Sequence, residues 1–169
     1  MISRGALPLL GALVLGCSLA AAARAAFGIA VLPATVTSSA VTLNGVDQTT
    51  SFSATVTVSG ATNTGWNLKA WAPLPVSGAN TLGALVVATQ PTLGACSGSG
   101  CSLPTPTGIT WPVTLGTTAG TASKIYNANV STGVGTNTVT ITFKISVVAK
   151  ALPGSYTTTL TVIGSSTGP

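Results

Sequence analysis

Apolar and polar residues alternate with a period of two along most of this chain. Phe52, Ala54, Val56 and Val58 alternate with Ser51, Ser53, Thr55 and Thr57. Val139, Ile141, Phe143, Ile145 and Val147 alternate with Thr138, Thr140, Thr142, Lys144 and Ser146. Tyr156, Thr158, Leu160 and Val162 alternate with Thr157, Thr159, Thr161 and Ile163. Trp66, Leu68 and Ala70 share one face of a strand whose other face carries Asn67, Lys69 and Trp71. Successive side chains of a strand point to opposite faces, so this pattern predicts strands buried on one side. Shorter strands are expected around 28–32, 36–43, 82–88, 109–115 and 123–130.

Turn residues separate these segments. Asn44-Gly45 is a hairpin signal. Ser59 through Gly65 links the strand ending at Val58 to the Trp66 strand. Leu152-Pro153-Gly154-Ser155 is expected to close a hairpin between the two longest alternating strands. No segment carries helical periodicity with caps. Many short strands with one apolar face each predict an all-β fold, an antiparallel β-sandwich of immunoglobulin-like kind. A chain of 169 residues is long enough for one such domain.

The first residues follow another rule. Met1-Ile2-Ser3-Arg4 is a short positive start, Gly5 through Ala23 is an unbroken apolar run, and Ala23-Arg24-Ala25 fits a signal peptidase site. Residues 1–25 therefore read as a signal peptide, with 26–169 as the exported domain. Two other readings stay open. The run is long enough for a membrane anchor. Val14-Leu15-Gly16-Cys17 also matches a lipobox, which would lipidate Cys17.

Export changes the chemistry that remains. Of six basic residues and one acidic residue in the chain, Arg4 and Arg24 leave with the signal peptide. Lys69, Lys124, Lys144, Lys150 and Asp47 remain. The chain is 4% charged and has no histidine, against roughly 25% charged in typical globular proteins. A sequence pI near 9.6 that rests on four scattered lysines gives no nucleic-acid footprint. A hydrophobic fraction of 46% and a mean hydropathy of +0.63 exclude a disordered composition. The polar surface must be built from Thr, Ser, Asn and backbone.

The same scarcity excludes most catalysis. A Ser-His-Asp triad has no histidine, and paired-carboxylate glycoside hydrolysis fails with Asp47 alone. No phosphate-cradling glycine loop appears. The chain reads as a non-enzyme with no cofactor and no metal. Cys96 and Cys101 flank Ser97-Gly98-Ser99-Gly100. A zinc site would need further ligands. An even pair in an exported chain reads as a disulfide, here a local staple worth about 2 kcal/mol by loop entropy. Leu103-Pro104-Thr105-Pro106-Thr107-Gly108 has one residue too many for a sortase signal, and Asn129-Val130-Ser131 is a glycosylation sequon of a kind common by chance.

Several blocks together resemble the WxL-type surface domain of Gram-positive and related bacteria. Trp66-Asn67-Leu68 is a literal W-x-L after Gly65, with Val41-Thr42-Leu43-Asn44-Gly45 upstream. Cys96 through Pro104 is similar to a disulfide loop of actinobacterial members. Lys124 to Ala128, Ser131 to Thr136 and Pro153 to Val162, with the end at Gly168-Pro169, follow in order. The resemblance covers about 28–169. It implies a β-sandwich in a secreted, extracellular, wall-associated protein that binds peptidoglycan or another wall polysaccharide non-covalently, acting beside other surface proteins or by self-association. Where the family commonly carries a second Trp-x-Leu, this chain has Val162-Ile163-Gly164.

Glycans are held by flat aromatics with hydroxyl or amide partners. Trp66, Asn67, Leu68, Trp71, Trp111 and Tyr126 are the wall-binding candidates. Alternation leaves open whether Trp66 or Trp71 faces the core; the resemblance favours Trp66 and Leu68. A structural subunit of a surface layer or fibre is the rival reading, because uncharged Thr/Val strands lack the lysines and prolines that protect sheet edges. The Thr rows at 138, 140, 142 and 157, 159, 161 also raise ice or polysaccharide-surface binding. No nucleic-acid partner is expected, and no membrane span once the signal is cleaved.

Overall fold

The computed structural model describes residues 26–32, 35–37 and 46–167. The signal-peptide segment 1–25, the lipobox, Asn44-Gly45 and the terminal Gly168-Pro169 lie outside the described residues. So does most of the strand expected over 36–43.

The described chain is an all-β sandwich of antiparallel sheets, with 52% of it in strands. In order these are β1 (Gly28–Leu32), β2 (Thr35–Thr37), β3 (Gln48–Ala61), β4 (Trp66–Trp71), β5 (Val76–Ser77), β6 (Asn80–Thr81) and β7 (Val86–Val87). Then follow β8 (Thr92–Ser97), β9 (Val113–Thr114), β10 (Ser123–Ala128), β11 (Gly135–Val147), β12 (Thr157–Thr159) and β13 (Thr161–Ser165). One short 3-10 turn spans Ala119–Thr121.

The spine is the pairing of β3 with β11, which runs from Gly135 opposite Ala61 to Val147 opposite Gln48. These are the two segments with the longest alternation. β1 flanks β3, while β7 and β8 pair with β11, and β9 pairs with β7. Val139, Ile141, Phe143, Ile145 and Val147 all face inward, as do Ala54, Val56 and Val58. Phe52 stacks on Phe143 across the pair, with ring centroids 5.2 Å apart. Against this layer stand a three-stranded sheet, β10-β4-β13, and a small one, β2-β12-β5-β6.

The hairpin expected at Leu152-Pro153-Gly154-Ser155 does not form. β11 pairs with β3, β7 and β8, while β12 pairs with β2 and β5. The segment is a crossover between layers. The Tyr156 hydroxyl fixes it by donating to the Leu152 carbonyl at 2.7 Å. The strand expected over 156–163 is also divided at Leu160. Its N-terminal piece pairs with β2 and its C-terminal piece with β4. Burial nonetheless keeps its period through the break, with Tyr156, Thr158, Leu160 and Val162 all inside. Alternation records which side faces the core, not which neighbour supplies the hydrogen bonds.

Candidate functional site

Three segments far apart in sequence meet at one end of the sandwich. The first is the turn from β3 to β4. The second is the loop closed by the Cys96–Cys101 disulfide, whose Cα atoms are 6.0 Å apart. The third is the entry to β11. Together they border an open cleft of about 650 Å³, lined by residues of 60–63, 97–99 and 134–136. That volume is within the range of small-ligand sites, roughly 300–1,000 Å³.

Small residues let these backbones approach. Gly98 and Gly100 have φ of 105° and 68°, so the chain can turn between the sulfurs. Gly135 has φ of 87°, and a Cβ there would stand 2.8 Å from the Ser97 carbonyl oxygen and 3.2 Å from the Cys101 sulfur. The Asn63 carbonyl accepts from the Ser131 amide at 2.8 Å, and the Thr64 hydroxyl donates to the Ser166 carbonyl at 2.8 Å. The Ser102 amide donates to the Val134 carbonyl at 3.2 Å. The cleft lining carries hydroxyls, an amide and backbone groups but no titratable side chain. It offers hydrogen bonds and van der Waals surface, with no group for proton transfer.

The wall-binding candidates divide sharply by position. Trp66, Leu68 and Tyr126 are all 0% exposed. Trp66 stacks on Tyr126 at 5.3 Å, and its indole N–H donates to the Gly133 carbonyl at 2.9 Å. The Tyr126 hydroxyl donates to the Pro104 carbonyl at 3.2 Å. Asn67 is 8% exposed and donates to the Thr167 carbonyl at 3.2 Å. Trp71 and Trp111 are the candidates with open surface, both half-buried. Trp71 is on the outer face of β4. Trp111 packs against the core edge, and its indole nitrogen is buried without a partner. None of the six lines the cleft. Trp66 and Tyr126 instead support it from behind, by holding Gly133 and Pro104.

The alternation rule missed the cleft because its lining comes from strand ends and the turns beside them, where the period of two gives way to small residues. It also missed β8, which leads into the disulfide loop. β8 has no fully buried position and carries Gly94 in its middle, so it leaves no periodic signal.

Tyr126 carries a pH consequence. Burial pushes its phenol above the ordinary value near 10, because the charged form loses hydration. The folded state therefore holds this proton where the unfolded chain has lost it. Stability is complete below about pH 10 and falls as pH rises past it, by up to about 1.4 kcal/mol per pH unit. Urea titrations between pH 9 and 11 should show this fall in the wild type and a flatter profile in Tyr126→Phe.

A scan against protein-family models, a search of curated proteins and a search of solved structures each returned no match.

Proposed function

We propose that this is an exported surface protein that holds the bacterial cell wall non-covalently through a WxL-like β-sandwich, with a neutral stretch of wall glycan seated in the disulfide cleft. One observation carries the reading. The W-x-L, disulfide and 131–136 blocks, separated in sequence, pack into a single unit: Trp66 bonds Gly133, and the Gly133 and Gly135 backbones lie tightly against Pro104 and Cys101. The unit borders a cleft of hydroxyl, amide and backbone groups, which suits an uncharged polymer of hydroxyls and acetamides.

Co-sedimentation of the purified protein with peptidoglycan sacculi tests it. Saturable binding is expected. Ser99→Trp, at an exposed position of the cleft wall, should fill the site and abolish binding without changing thermal stability. The double variant Cys96→Ser/Cys101→Ser should stay folded, losing about 2 kcal/mol, and should bind more weakly because its loop is no longer held. Absence of binding by the wild type would sink the proposal.

A second reading has one observation in its favour. Among the described residues β1 is the outermost strand of its sheet, paired with β3 on one side, and its sequence Gly28-Ile29-Ala30-Val31-Leu32 has neither lysine nor proline to block strand addition. Oligomers that form without wall material, together with no sacculus binding, would favour a structural subunit.

A further inference from the structure

The fold brings together two lysines that stand 55 positions apart in number, Lys69 and Lys124. They are register partners in β4 and β10, both exposed. Directly opposed residues of an antiparallel pair share a face with Cβ atoms about 4.5–5.5 Å apart, and like charges there repel. The chain has six basic side chains in all and one acidic residue. That residue, Asp47, caps the Ala149 amide at 2.8 Å, beside the N-terminal end of β3 in the opposite layer. No acidic side chain thus balances the lysine pair. Placing half of the four described lysines opposite one another has a cost in the free protein.

The surroundings of the pair are ordered by the same register. On the other side of Lys69 stands Ile163, 46% exposed. Two residues along β4, Trp71 opens part of its ring on the same face, opposite Thr161. The face thus presents two adjacent cations, one flat aromatic and hydroxyl-bearing positions. We propose that this outer face of β10-β4-β13 binds a phosphate-bearing polyol or sugar polymer, the lysines holding successive phosphates and Trp71 packing against the carbon backbone between them. The charge complementarity is local: Lys144 lies on the outer face of the other layer, in β11, and Lys150 in the crossover. The inference stands apart from the wall-glycan reading, since it uses the lysine face and not the cleft.

The test is equilibrium binding of the purified full chain to poly(glycerol phosphate) at low salt. Lys69→Gln/Lys124→Gln should lose roughly tenfold or more in affinity, about the scale of two phosphate contacts, with a shallower salt dependence. Lys144→Gln/Lys150→Gln, which removes the same net charge, should change affinity by less than about threefold. Trp71→Ala should weaken binding while Lys69→Gln/Lys124→Gln keeps or raises the melting temperature, because repulsion is relieved. Ser99→Trp should bind as the wild type does, which separates this face from the cleft. Equal losses in the two double-lysine variants would reduce the effect to net charge and overturn the proposal. So would no binding to the polymer, or equally tight, Lys69- and Lys124-dependent binding to single-stranded RNA or anionic lipid vesicles.

Discussion

Trp66→Ala should cost about 3–5 kcal/mol of folding stability, the range for removing a large buried aromatic. That is a large fraction of the roughly 5–15 kcal/mol that holds a domain folded. Three losses combine. The indole is 0% exposed, so its removal opens a cavity rather than a surface. Its stacking on Tyr126, at 5.3 Å between centroids, disappears. The Gly133 carbonyl, which accepts the indole N–H at 2.9 Å, is left without that donor, at about 1–3 kcal/mol if it stays buried. Trp71→Ala, on the outer face of the same strand, should cost less than about 1 kcal/mol. Urea unfolding midpoints of the two variants decide the matter. A normal midpoint in Trp66→Ala with weakened sacculus binding would mean that the ring reaches ligand directly, against its place in the core. A lowered midpoint means that binding losses in this variant report folding.

This contrast also marks how far the sequence can be read. Alternation put Trp66, Leu68 and Ala70 on one face and Asn67, Lys69 and Trp71 on the other, and the structure has the first three at 0% exposure. It could not say which face was inner, because each carries a tryptophan. The deciding partners are Tyr126, Gly133 and Pro104, all more than 35 positions away. The β3–β11 spine was legible for a plain reason: β11 keeps its inward face apolar from Val139 to Val147, and β3 pairs with it along that whole stretch. The crossover at Leu152 to Ser155 was not, since a turn sequence is the same whether the next strand returns beside the last or passes to the other layer. The lysine pair was invisible for the same reason. Lys69 and Lys124 are scattered in the chain and become neighbours only through the register of β4 and β10.

The structure makes its second large prediction at Gly133. This residue has φ of 68°, and a Cβ would stand 2.5 Å from the Trp66 indole nitrogen and 2.9 Å from the Pro104 Cβ. Gly133→Ala should therefore cost about 3 kcal/mol, combining a left-handed backbone with overpacking against a rigid ring. The steric part is the larger one, because Ser131, two residues earlier, keeps φ of 64° with a full side chain. A double-mutant cycle separates the two parts. Trp66→Phe removes the indole nitrogen and leaves room where the new methyl would sit. In the Trp66→Phe/Gly133→Ala protein the two costs should fall short of their sum by more than about 1 kcal/mol. Strict additivity would mean that the 131–136 segment moves aside to admit the methyl. The wall of the cleft would then be soft, and the disulfide alone would hold its opposite side in place. A clear coupling energy would instead show that the core tryptophan fixes the cleft from behind, and that a residue with no exposed surface sets the shape of the cleft.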